Sequence, residues 1–155
     1  MWLRCLADLI FPRKCEICGR LLTGDERHIC EDCMEDMPLT YYWDWPENPA
    51  EKKLWVRTHL HRVIPLFFYT RESRYITLIH KIKYQGKAHL GHHMGFMLGE
   101  RLRGVLSDVD YIVPIPLHPI RRWRRGYNQA EIIAGGVIEA LFGKDKAKRH
   151  LRTDI

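Results

Sequence analysis

Four cysteines carry the clearest chemistry in the sequence: Cys15-Glu-Ile-Cys18-Gly and Cys30-Glu-Asp-Cys33 are two Cys-x-x-Cys pairs separated by 11 residues. Two thiolates three positions apart on a tight turn can face one ion, and Gly19 supplies the open backbone such a turn needs. Two such turns complete a tetrahedron. The spacing therefore predicts a structural Zn²⁺ site on Cys15, Cys18, Cys30 and Cys33, closed by four thiolates and offering no position for chemistry at the metal. The interval is shorter than the commonest double-pair spacing, which points to a compact knuckle or ribbon. Disulfides are a competing reading, and they ask for an oxidising compartment. A thioredoxin-like redox pair is another, but neither pair opens a helix after an apolar strand. His28 is a neighbour able to replace one thiolate; an exposed loop histidine is the alternative.

The second stretch with chemistry in it runs from Asp110 to Glu131. Arg121, Arg122, Arg124 and Arg125 place four fixed positive charges in five residues, an arrangement that is costly unless water or an anion neutralises it. The elements around them would position that charge. Tyr111 to Val113 reads as a short strand buried on both faces. Pro114 and Pro116 remove backbone donors and end it. A cationic loop follows, interrupted by Trp123 and closed by Gly126. A helix then begins, with Ala130, Ile132, Ile133, Val137, Ile138 and Leu141 as its apolar stripe. Strand, proline turn, loop and helix in that order put the arginines at the carboxyl edge of a sheet, where open α/β sheets take their ligands. His118 reads in two ways, as a donor to a phosphate oxygen or as the cap of the turn. Asn128 reads as an N-cap, at a helix start whose free N–H groups favour an anion.

Val-Pro-Ile-Pro-Leu-His at 113–118 and Arg-Arg-Gly-Tyr-Asn-Gln-Ala-Glu at 124–131 closely resemble the ComF family of competence-associated, phosphoribosyltransferase-like proteins. The resemblance extends over most of the chain: the run from Phe68-Tyr69 to Gly86 is similar to the segment ComF proteins carry before their core, and the family also has an N-terminal zinc ribbon. It implies an α/β fold, an incomplete type I phosphoribosyltransferase-like parallel sheet preceded by a small four-cysteine zinc-ribbon module. It further implies that Pro114, Pro116, His118, Arg121, Arg122, Arg124, Arg125, Gly126 and Asn128 lie against the pyrophosphate end of phosphoribosyl pyrophosphate, accompanied by Mg²⁺.

The remaining segments are read for organisation. Met1 to Phe11 has helical spacing and holds Cys5, a lone thiol. Residues 1–37 are expected to form this helix and the zinc ribbon, 38–60 an aromatic and proline-rich linker, and 61–155 the first part of a phosphoribosyltransferase-like domain. The linker's Tyr41, Tyr42, Trp43, Trp45 and Trp55 would cover apolar surface, or alternatively stack on bases. Val63 to Tyr69 reads as an edge strand because of Pro65. Helices are expected from Ile76 to near Gly86 and over Ala88 to Val105. Lys81 and Lys83 would help hold phosphate or remain solvated. His89, His92 and His93 read as a wet helix face rather than metal ligands, with no carboxylate beside them.

Bulk charge supports an anionic partner. The net charge is +6, but residues 1–60 hold 8 Lys and Arg against 11 Asp and Glu while residues 61–155 hold 17 against 8. No apolar run approaches the ~20 residues of a membrane span, and the chain is expected to be cytoplasmic. One element of a phosphoribosyltransferase is not found in these residues: an apolar run followed by an acidic pair and Thr-Thr-Gly, which would hold ribose and its 5′-phosphate. The reading therefore expects a fragment or a degenerate member that does not transfer phosphoribose by itself. Two functions follow: a phosphoribosyltransferase-type protein holding a phosphorylated small molecule, or a nucleic-acid-binding accessory factor whose zinc module and arginines grip DNA during competence, alone or with competence-machinery proteins.

Overall fold

The computed structural model describes residues 12–106, 108–144 and 150–152. The expected N-terminal helix with Cys5, and most of the closing run from Lys148, lie outside the described residues. Six helices follow one another among the described residues: α1 (Glu31–Glu35), α2 (Pro49–Trp55), α3 (Ile76–Tyr84), α4 (Ala88–Leu102), α5 (Pro119–Arg125) and α6 (Gln129–Phe142).

Local sequence explains most of their boundaries. α2 lies inside the expected linker and opens with a capping box: the Asn48 side chain accepts from the backbone of Ala50 and Glu51, and the Glu51 side chain accepts from Asn48 N. Pro49 at the first helical position has no N–H to leave unsatisfied. α6 begins at Asn128, whose Oδ1 accepts from Ala130 N at 3.0 Å, and it ends at Gly143, where φ is +82°. The expected helices over 76–86 and 88–105 are α3 and α4.

The cationic stretch 121–125 is a helix, not a loop. Pro119 sits at its first position, the His118 side chain accepts from Ile120 N, and Gly126 at φ +80° stops it in the left-handed region. Proline just inside the start and glycine just past the end are helix punctuation.

The expected parallel sheet is not formed among the described residues. Tyr111 to Val113 contributes one parallel bridge, Ile112 to Leu151, made by Ile112 N to His150 O at 2.8 Å and Arg152 N to Ile112 O at 3.2 Å. Pro114 and Pro116 have no N–H with which to lengthen it. Val63 to Tyr69 likewise yields one antiparallel bridge, Phe67 to Leu39, with Pro65 as the interruption. In place of a sheet, helices and the ribbon share a core: Cys15, Leu22, Ile29, Cys30, Cys33 and Met37 pack with Tyr75, Leu78, Ile82, Leu90 and Met94. Fully burying one such apolar side chain is worth about 1.5–3 kcal/mol.

α4 and α6 are pressed together through glycines. A Cβ at Gly95 would lie 2.0 Å from Ile133 O, and one at Gly136 would lie 2.0 Å from His92 O. No side chain fits between backbones that close, so α4 and α6 pack backbone against backbone at these glycines. α6 carries Asn128 at its start, and Asn128 joins it to the proline turn.

Candidate functional site

The metal centre assembles from a knuckle and a helix start. Cys15 N donates to Arg20 O at 2.7 Å and Gly19 N to Cys15 O at 3.0 Å, which closes a turn with Gly19 at φ +77°. Cys30 is the N-cap of α1 and Cys33 lies within that helix. The four Sγ atoms of Cys15, Cys18, Cys30 and Cys33 lie within 4.8 Å of one another, the one such group of possible ligands among the described residues. Cys18 Sγ and Cys30 Sγ are 3.6 Å apart, far longer than a disulfide and close to the ~3.8 Å edge of a tetrahedron with Zn–S bonds of ~2.3 Å. Cys15, Cys30 and Cys33 are buried while Cys18 reaches the surface.

Electrostatics favour thiolate at this spot. Burial alone would raise the Cys15 thiol, but the backbone N–H groups of Cys18, Cys30 and Ile17 outweigh it and bring the thiol down to about 6. Two of these amides, Ile17 N and Cys30 N, each approach Cys15 Sγ to 3.4 Å. Cys33 is shifted upward, first by burial and then by hydrogen bonds with the thiols of Cys30, Cys18 and Cys15. One thiol ready to ionise beside another held neutral is a set that a dication completes, since Zn²⁺ displaces the remaining protons. The residues fit Zn²⁺: four sulfur ligands in a closed site, supplying a cross-link and no open coordination position.

The knuckle is docked on the helices by polar contacts. Glu16, between the first two ligands, accepts from Lys81 Nζ at 2.9 Å and Lys87 Nζ at 3.0 Å. Burial opposes its ionisation, and the two ammonium groups more than offset that, holding the carboxyl below its usual range. Tyr75 Oη donates to Cys33 O at 3.1 Å, and Arg74 pairs with Asp36 at 2.6 Å. Lys81, considered for phosphate in the sequence, is thus committed to the ribbon. His28 forms no part of the ligand group; its ring stands 5.4 Å from that of His93. The histidines of α4 are not a plain wet face either, because Glu139 of α6 comes within 3.4 Å of His92 Nε2.

The residues expected to form one anion loop are divided by α5. On one side the turn Val113–Leu117 forms a cavity of about 240 Å³ with Arg122, Glu131 and Arg152. Here Pro114 is buried and Pro116 exposed, Arg122 Nη1 lies 3.6 Å from Glu131, and Arg152 sits 4.8 Å over the Tyr111 ring. On the other side Arg121, Arg124 and Arg125 face Lys83, Tyr84 and Gly86 across a cleft of about 300 Å³. Arg125 donates to Gln129 Oε1 at 3.0 Å and lies over the Tyr84 ring at 5.4 Å. His118 caps α5, with Ile120 N donating to its Nδ1 at 3.4 Å. Asn128, buried, donates through Nδ2 to Ile115 O at 3.1 Å and so ties the turn to α6. Tyr127 donates through its hydroxyl to Ile82 O, linking α5 and α6 to α3.

Lys83 was visible in the sequence as a candidate; Arg152 and the pairing role of Glu131 were not. Arg152 is separated from the turn by 35 or more positions and no local pattern announces it. The division of the arginines could have been read, because positions 121, 124 and 125 share a face once 119–126 is taken as a helix.

In comparisons with known proteins, residues 6–42 match the double zinc ribbon domain family model. No curated protein and no solved structure matches the chain. Among the described residues no helix is long and apolar enough to cross a membrane.

Proposed function

We propose that this chain is a zinc-stapled phosphate-binding protein of the ComF type, whose turn 113–118 and helix α5 receive the pyrophosphate end of a phosphoribosyl pyrophosphate-like metabolite. The observation that carries the reading is the cavity beside α5, lined by the turn Val113–Leu117 together with Arg122 and Arg152. In this role Pro114 and Pro116 stiffen the wall, Asn128 holds the turn against α6, and Arg122 exchanges its long contact with Glu131 for a phosphate oxygen. Charge-assisted contacts of this sort are roughly twice as strong as neutral ones. A pyrophosphate ligand would bring its own Mg²⁺, and Arg122 and Arg152 would balance the negative charge that remains. Zinc has no part in the chemistry; it fixes the ribbon and, through Glu16 and Lys81, the end of α3.

No acidic pair followed by Thr-Thr-Gly is present in these residues, so the chain by itself is expected to bind without transferring phosphoribose. Calorimetric titration with magnesium phosphoribosyl pyrophosphate should give one saturable event that Arg122→Ala weakens by roughly tenfold or more. Steady pyrophosphate release with an amine or base acceptor would overturn the expectation of inactivity, and absence of any binding would overturn the reading itself. A nucleic-acid role in a competence setting is favoured by one feature, Trp123, which is 86% exposed between arginines. It requires affinity that rises with strand length and falls linearly with the logarithm of salt.

A further inference from the structure

The cleft on the opposite side of α5 is a separate place where charge accumulates. Arg121, Arg124 and Arg125 project from one helix face, at spacings of three and four residues, toward Lys83, Tyr84 and Gly86. No carboxylate lines this cleft of about 300 Å³. Among the described residues Arg121, Arg124 and Lys83 make no ion pair, whereas Arg122, on the other face, has Glu131. The carbonyl end of α5 relieves a cation or two in its last turn, but not four around one cleft. Arg125 is held in place by Gln129 and the Tyr84 ring, and Tyr84 is 69% exposed. Gly86, at φ +66° with nothing within 4 Å of an added Cβ, leaves the rim open.

We propose that this cleft is a second phosphate site, distinct from the turn cavity, with Arg121, Arg124 and Lys83 supplying the charge and Arg125 with Tyr84 forming its wall. A phosphate dianion suits the group better than a carboxylate. It balances more than one cation, and its several oxygens accept from several guanidinium forks at once. The shared chemistry is a phosphate group, free or carried by a nucleotide whose ring would lie on Tyr84. The site does not depend on whether the turn cavity takes pyrophosphate, since the two are lined by different arginines.

The test is calorimetric titration of the full zinc-loaded chain with inorganic phosphate, then with a 5′-nucleotide, and with the same nucleoside lacking phosphate. Arg121→Ala combined with Arg124→Ala removes two exposed side chains, Arg122→Ala reports on the turn cavity, and Lys53→Ala, an exposed lysine of α2 that lines neither cavity, serves as the control. Phosphate affinity at the cleft should drop roughly tenfold or more in the double variant and stay unchanged in Lys53→Ala, with Lys83→Ala giving a smaller loss and the nucleoside giving no binding. Tighter binding of the nucleotide than of phosphate would assign the bound form to a nucleotide; equal binding would assign it to free phosphate. No saturable phosphate binding by the unaltered chain, or a loss seen in Arg122→Ala and not in the double variant, would overturn the site. The second outcome would leave the turn cavity standing, so the two readings fail separately.

Discussion

Cys30 is where metal chemistry and packing coincide: its side chain is 0% exposed, it caps α1, and its amide approaches Cys15 Sγ. Cys30→Ser should therefore abolish zinc binding and unfold the ribbon, because metal binding contributes on the order of 10 kcal/mol to folding of such modules. Zinc content by mass spectrometry, alongside the thermal transition, checks this; a variant retaining one zinc per chain would contradict it. Glu51 is the other buried residue on which much rests. Burial opposes its ionisation, but Val63 N, the Arg62 guanidinium and Asn48 N hold its carboxyl below the ordinary value of 4.5. A carboxyl depressed on folding adds stability that is complete above the unfolded value and lost as pH falls through the folded one. Denaturation midpoints should thus drop below pH 4.5, and Glu51→Gln should be less stable near neutrality while losing that component of the pH dependence. An unchanged pH profile in Glu51→Gln would show that other carboxyls are responsible.

Among the elements, the α4–α6 pair gives the sharpest expectation. Gly95→Ala and Gly136→Ala each push a methyl into backbone atoms 2.0 Å away, so each should destabilise by about 3 kcal/mol or more, the upper end for overpacking. Gly104→Ala, with open space around it, is the matched control and should be nearly neutral. Equal chemical-denaturation midpoints for all three would mean that the helices are not so close. Asn128→Ala removes an N-cap worth ~1 kcal/mol and frees the turn at Ile115, so it should lower both stability and pyrophosphate affinity. How legible these elements were depended on the range of the interactions that make them. α3, α4 and α6 follow from apolar spacing, and the Asn128 cap from residue type alone. α2 lies in a segment whose aromatic and proline content predicts a linker, although Asn48-Pro49-Ala50-Glu51 is a local helix-start signature. The strands failed for a different reason: Ile112 and Phe67 are strand formers in type, but each finds one bridging residue among the described ones, and proline blocks the next donor.

For the molecule as a whole, the four-cysteine centre was readable from spacing, whereas its coupling to the helices was not. Glu16 with Lys81, and Cys33 with Tyr75, are separated by 65 and 42 positions respectively, and no periodicity reveals such partners. Through them the ribbon braces α3, and α3 in turn receives Tyr127 from the start of α6. Removing zinc with a chelator should therefore loosen α3 and the α5 face as well as the ribbon, seen as faster amide exchange over Ile76–Tyr84. Exchange that changes only within the ribbon would separate the two parts. The most direct test of the central claim, that α5 and its neighbours exist to hold phosphate, follows the arginine Nε–H resonances of the isotope-labelled, zinc-loaded chain during titration with magnesium pyrophosphate. The account predicts saturable shifts at Arg122 and at the Arg121, Arg124 and Arg125 face; four arginine signals that stay fixed throughout would contradict it.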